Sequence, residues 1–183
     1  MKSLNWNVLR RSACLIILAA VAAGPSAAWS RAARPVCHVG TVVPRLLLNW
    51  ADKLQQSWRA NNPALIVGTY AGDAYLLPTC ANGPEIGHDA ITAYFRDAFL
   101  PEHPVATFNL LDPRTIRIGG DCANPFASGL YTFALGEDRK QVRARFTYVF
   151  RQTGPDSWLI AQHHSSLEPK GSGGNPKPEC PAH

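Results

Sequence analysis

The sequence predicts an α+β domain in which about three N-terminal helices pack on a curved antiparallel sheet built from the second half of the chain. Three observations carry this. Leu46, Trp50, Leu54 and Trp58, with Leu47 beside them, recur every fourth residue, the spacing of one helix face. Ile91, Tyr94, Phe95 and Ala98 repeat that pattern later in the chain. From Val105 onward the helical period disappears, and strand-like runs alternate with Gly, Pro and Asp turn signals. Helices first and a strand meander afterwards place the helices on one face of an antiparallel sheet.

Pro44 to Ala60 is the first predicted helix, with Pro44 suited to its opening turn. Asn61, Asn62 and Pro63 stop it and begin a short second helix to about Thr69. Gly72 and Asp73 read as a turn leading into a brief buried strand, Ala74 to Pro78, and Gly83 to Gly87 reads as a loop. The third helix runs from Asp89 to Phe99 and is ended by Pro101. Four strands follow: Thr107 to Ile118 with a break at Pro113, Ser128 to Leu135, Val142 to Gln152, and Trp158 to Ser166. The Gly-, Pro-, Lys- and Ser-rich tail from residue 170 to 183 is expected to lack regular structure.

Residues 1–30 read as an export leader. Lys2, Arg10 and Arg11 precede an apolar run from Ala13 to Ala23, and small residues near Ala28 and Ser30 offer a cleavage point. The run is shorter than the roughly 20 residues a membrane span needs, so a secreted or periplasmic product without a stable membrane anchor is expected. Residues 31–43 then form an extension, and residues 44–169 form the domain. Of 18 basic residues in the chain, losing those three leaves 15 against 13 acidic ones. The near-neutral balance, with no basic stripe, argues against nucleic-acid binding.

Cys37, Cys80, Cys122 and Cys180 remain after leader removal. An even number in an oxidising compartment reads as two disulfides with three possible connectivities. Cys37 with Cys180 and Cys80 with Cys122 are favoured from their places in the chain. None stands in a CxxC pair, so no metal site is expected.

Strand parity sets Ala144, Phe146, Tyr148 and Phe150 on one face and Arg143, Arg145, Thr147 and Val149 on the other. With helices covering one side only, the aromatic face is expected to be open and to join copies of the chain. The alternative is that it lies beneath the protein's own helices.

Ala144-Arg-Phe-Thr-Tyr-Val-Phe-Arg151 followed by Trp158-Leu-Ile-Ala-Gln-His-His-Ser-Ser166 resembles the closing strands of the calcium/calmodulin-dependent protein kinase II association domain. Tyr70 to Thr79, Ile91 to Leu100 and Ser128 to Phe133 resemble its bacterial SgcJ/EcaC-type relatives, within the nuclear transport factor 2-like, SnoaL-like superfamily. The resemblance spans about Pro44 to Pro169. It implies a cone-shaped barrel of curved antiparallel sheet wrapped by helices, a pocket between them, and self-assembly through the sheet. It does not imply kinase activity, because the chain has no Gly-rich phosphate loop and no HRD or DFG set. Pocket arginines of the eukaryotic association domain fall, by this resemblance, on Tyr131, Thr147 and Ser165. An anionic ligand therefore loses its anchor, although Arg145 shares the Thr147 face.

Among chemistry-bearing residues, His163 shares a face with Ser165 and reads either as a pocket proton carrier or as a buried, hydrogen-bonded histidine. Asp73 is a candidate base or simply a turn residue. Tyr131 is a hydrogen-bond donor to a ligand or a core aromatic, and Arg145 binds a carboxylate or enolate or pairs across the sheet. His163 and His164 point to opposite faces, which excludes a paired metal site. No GxGxxG motif or nucleophile elbow is present, so no cofactor is expected and a serine hydrolase is not supported. The leading expectation is an exported oligomeric module that binds a small organic ligand or serves assembly. The second is a cofactor-independent isomerase, cyclase or hydratase.

Overall fold

The computed structural model describes residues 37–79 and 81–169. The expected leader, tail, Cys80 and Cys180 lie outside the described residues. Helix α1, Val39–Ala60, begins upstream of the expected start and carries Pro44 inside it. It buries Val42, Val43, Leu47, Trp50, Leu54 and Ser57, a stripe rotated from the one read in the sequence. Leu46 and Trp58 are left only partly covered. Asn61 adopts the left-handed conformation at its C-terminus, φ 48°, and the Asn62 N–H returns to the Ser57 carbonyl at 2.9 Å. This closes the last turn. A single helical turn, α2, spans Ala64–Val67 and buries Ile66 and Val67.

Strand β1, Tyr70–Leu77, follows directly. Gly72 and Asp73 therefore lie within the strand rather than in a turn before it. Pairing with the last strand steps from Tyr70 opposite Ile160 to Tyr75 opposite Gln162, so β1 loops surplus residues out as a bulge around them. The segment read as a loop contains β2, Glu85–Ile86, paired to β1. Helix α3, Gly87–Tyr94, continues through a wider turn, Phe95–Phe99, and a tight one, Leu100–Glu102. The run broken at Pro113 separates into β3, Val105–Phe108, and β4, Ile116–Gly119. Both pair with the same strand, β5, Phe126–Leu135. A Cβ at Gly129 would run into the Thr115 carbonyl, so that close approach requires glycine. Strands β6, Lys140–Gly154, and β7, Ser157–Leu167, form a long hairpin.

The sheet order is β2-β1-β7-β6-β5-β3, with β4 also on β5. The sheet is curved, does not close, and is mixed: β1 runs parallel to β7. The expectation of a purely antiparallel sheet is corrected here. β1 follows a helix and returns to the sheet as a separate entry, without the tight hairpin that would impose antiparallel pairing.

The aromatic face of β6 is the core. Ala144, Phe146, Tyr148 and Phe150 are buried, and Trp50 of α1 packs edge-on against Phe108 and Tyr148 at centroid distances of 6.2 and 5.4 Å. The premise that this face joins copies is overturned, because the chain's own first helix covers it. Arg143 and Arg145 stand exposed on the outer face.

A disulfide joins Cys37 to Cys122, which replaces both favoured pairings. The loop before β5 folds back onto the β6–β7 hairpin: Trp158 Nε1 donates to the Cys122 carbonyl at 2.7 Å, and Gln152 N to the Ala123 carbonyl at 2.8 Å. Cys122 is thereby brought beside the start of α1, a proximity that linear spacing does not reveal.

Candidate functional site

Residues facing the concave side of the sheet follow from register. Tyr131 lies opposite Ala144, Phe146 opposite Ser165, and Tyr148 opposite His163. Directly opposed residues share a face, so Tyr131, His163 and Ser165 meet on the inner side with Phe146 and Tyr148. Thr147 pairs with His164, and Arg145 with Leu130 and Ser166, on the outer side. The sequence-predicted ligand set is divided by the sheet itself, because Thr147 and Arg145 sit at odd steps from Phe146 and Tyr148. Thr147 bonds Ser128 Oγ at 2.9 Å, and Arg145 is solvent-exposed.

Two buried hydrogen-bonded chains cross the inner face. In the first, Trp50 Nε1 donates to Tyr70 Oη at 3.1 Å, and Tyr70 Oη lies 2.8 Å from His163 Nδ1. Indole N–H is a donor only, so Tyr70 accepts there and has its own proton for Nδ1. The network thus assigns His163 the tautomer with hydrogen on Nε2. In the second, Tyr131 Oη donates to Ser165 Oγ at 2.6 Å, and Ser165 Oγ bonds Thr79 Oγ1 at 2.6 Å. Tyr148 stacks on the imidazole with centroids 4.1 Å apart. Among the described residues, His163 Nε2 and Tyr148 Oη are buried without a partner.

This interior is electrostatically neutral. Burial, reinforced by His164, lowers the His163 pKa to about 3, so the ring carries no charge at neutral pH. Burial also pushes Tyr70, Tyr131 and Tyr148 well above the ordinary phenol range. Asp73 is elsewhere: exposed, held by Arg151 Nη1 at 2.8 Å, and kept below the usual carboxylate range by that bond. Among the described residues, no acid joins His163 on the inner face, and Asp73 does not converge with it. Because the Asp73 pair is solvent-screened, Asp73→Asn is expected to leave the melting temperature within the scatter of replicate melts; a drop of several degrees would assign Asp73 a larger role.

Tyr70, Trp50, Tyr148 and Thr79 belong to the network and are absent from the set of candidates drawn from the sequence. Trp50 reads there only as part of a helix face, and Tyr148 only as part of the aromatic strand face expected to be open. For Trp50 and Tyr70 the available signal was the polar tip: a buried indole or phenol usually takes a hydrogen-bond partner. Among the described residues no group of three His, Cys, Asp or Glu side chains is placed to hold a metal ion. No described helix is long and apolar enough to cross a membrane.

Helices lining the concave side of a curved sheet, with buried neutral polar groups on its inner strands, define the cone-shaped α+β class. The chain belongs to the SnoaL-like domain family, whose model matches residues 54–169. Among solved structures, a Xanthomonas campestris protein provisionally described as a calcium/calmodulin-dependent protein kinase II association domain is 33% identical. The match covers 70% of this chain and 87% of that one, with a TM-score of 0.60. A nuclear transport factor 2-like protein from Pseudomonas putida shares the fold at 15% identity, TM-score 0.56, covering 75% of this chain and 95% of that one. A ketosteroid isomerase-like protein from Erwinia carotovora does so at 12% identity and TM-score 0.51, covering 71% and 96%. No curated protein matches the chain.

Proposed function

We propose that the chain is an exported, self-associating module without kinase activity, whose outer sheet face joins copies and whose inner ladder holds a small uncharged organic molecule. The observation that carries assembly is a cross-strand row on the outer face. Ile86, Tyr75, Gln162, Val149 and Phe126 stand opposite one another in register across β2, β1, β7, β6 and β5. Ile86 is 60% and Phe126 38% exposed, and four of the five side chains in the row are apolar. Two apolar pairs flanking Gln162 on an open sheet face favour a self-complementary contact. The name of the Xanthomonas relative supports the same reading, as does the disulfide for an oxidising destination.

Ligand chemistry follows from the neutral interior. The inner polar groups named above carry no charge at pH 7, and an ion placed among them would meet no counter-charge. The Nε2–H of His163 and the hydroxyl of Tyr148 offer bonds to a neutral carbonyl or hydroxyl. A second reading, a cofactor-independent isomerase, cyclase or hydratase, is favoured by that same neutral imidazole, which has the protonation state of an electrophilic donor to a developing oxyanion. Against it, no described carboxylate faces His163 to act as the base.

Light scattering on the leaderless protein tests assembly. The wild type is expected to be dimeric or larger, and Val149→Glu to weaken association roughly a hundredfold by setting a charge in the apolar row. A wild type that stays monomeric at millimolar concentration would remove the assembly claim. Native mass spectrometry tests the ligand: a neutral compound retained by wild type and lost in His163→Phe supports binding, whereas turnover of such a compound would favour the enzyme.

A further inference from the structure

A recess opens beside α1, with the inner-face residues Phe150 and Ile160 in its lining. It runs along α1, between that helix, the α2 turn and the β6–β7 hairpin. One part, about 330 Å³, is lined by Leu46, Asn49 and Lys53 together with Leu65, Trp158 and Leu159. The adjoining part, about 450 Å³, shares Leu46, Asn49, Trp158 and Leu159 and extends to Arg45 and Asp156. Leu46, Asn49 and Lys53 recur at helical spacing, so they form one flank of α1. That flank remains uncovered because the helix buries Val43, Leu47, Trp50 and Leu54 instead.

The charges in this groove are asymmetric. Lys53 is only partly exposed, and its ammonium donates to the neutral Gln56 Oε1 at 3.0 Å. No carboxylate among the described residues forms an ion pair with it, nor with Arg45 at the far end. Asp156 is the sole acid in the lining. An apolar trough with an unpaired Lys53 in one part, and Arg45 sharing the other with Asp156, complements at its Lys53 end an anion with a hydrophobic body.

We propose that this groove binds an amphiphilic monocarboxylate of the medium-chain fatty-acid class. The carboxylate is held by Lys53 with Asn49 beside it, and the apolar tail lies over Leu46, Leu65, Trp158 and Leu159. None of the residues of the His163 and Ser165 hydrogen-bonded chains lines this site, and it does not depend on the assembly reading.

Titration of the disulfide-intact protein with octanoate, followed by amide NMR shifts, tests it. Saturable shifts at Leu65, Gly68 and Leu159 are expected. Octan-1-ol, which matches the tail but lacks the charge, should bind about tenfold more weakly, and Lys53→Met should lower octanoate affinity about tenfold. The melting temperature of that variant without ligand should stay close to wild type, since Lys53 makes one part-buried hydrogen bond, to Gln56 on its own helix, and no ion pair with a described acid. Equal affinity for the alcohol and the acid, an unchanged affinity in Lys53→Met, shifts confined to Tyr131 and Ser165, or no saturation would each overturn the proposal.

Discussion

Between pH 7 and pH 4.5 the folded state should lose about 2 to 3 kcal/mol of stability through His163 alone. The folded pKa of this imidazole is lowered from 6.5 to about 3. Below pH 6.5 the unfolded chain therefore takes up a proton that the folded chain refuses, and stability falls as pH falls from 6.5 toward 3. The cause is the burial of a ring whose Nδ1 is committed to the Tyr70 hydroxyl, between Tyr148 stacked on one side and Trp50 at its edge. Charging it would place a cation where no described acid can answer it.

The window can be isolated. Asp73, Asp97 and Asp112 are themselves lowered from 3.8 by their arginine partners, so their stabilising contributions are lost only at pH values below that range. Urea unfolding at intervals between pH 7 and 4.5 should show the fall in wild type. His163→Gln should start less stable, because the ring fills its site, and then remain nearly flat over the same interval. A slope that survives the substitution, or an NMR titration placing His163 near 6.5, would refute the buried, neutral assignment. The same measurement bears on mechanism: a histidine with a pKa near 3 is a poor general base at neutral pH.

Breaking the cross-link between Cys37 and Cys122 should have an effect at least as large. The two cysteines are 85 residues apart, and closing a loop of that length removes about 4.5 kcal/mol of chain entropy from the unfolded state. A double substitution, Cys37→Ser with Cys122→Ser, should lower the melting temperature on the order of 10 °C. The location of the bond sharpens the expectation. It ties the residues just before α1 to the loop that Trp158 and Gln152 hold against the hairpin. Without it, the first turns of α1 should become the earliest site of proteolytic cleavage. Peptide mapping of the unreduced protein should recover the two cysteines in one linked fragment, and recovery of Cys37 linked to Cys180 instead would reject this connectivity.

Much of the architecture was legible in the sequence because side-chain periodicity reports directly on burial. The alternation in β6 separated Phe146 and Tyr148 from Arg145 and Thr147 without any coordinates, and His163 was correctly set beside Ser165. Where reading failed, a nonlocal choice intervened. The aromatic face of β6 was expected to be open, yet α1 packs on it through Trp50. Gly72 and Asp73 carry a turn signature but sit in a bulge, because β1 must keep pace with β7. Tyr70 drew no attention as a site residue, since its partners, Trp50 and His163, are 20 and 93 residues away.

Local pattern alone therefore determined most element types, the faces of the strands and the α+β class, because propensity and alternation act over a few residues. Tertiary structure decided which face α1 covers, that β1 enters parallel to β7, that Cys37 meets Cys122, and that His163 is sealed in neutral surroundings with no described acid beside it. Those outcomes rest on contacts between distant segments, selected by the packing of the whole fold.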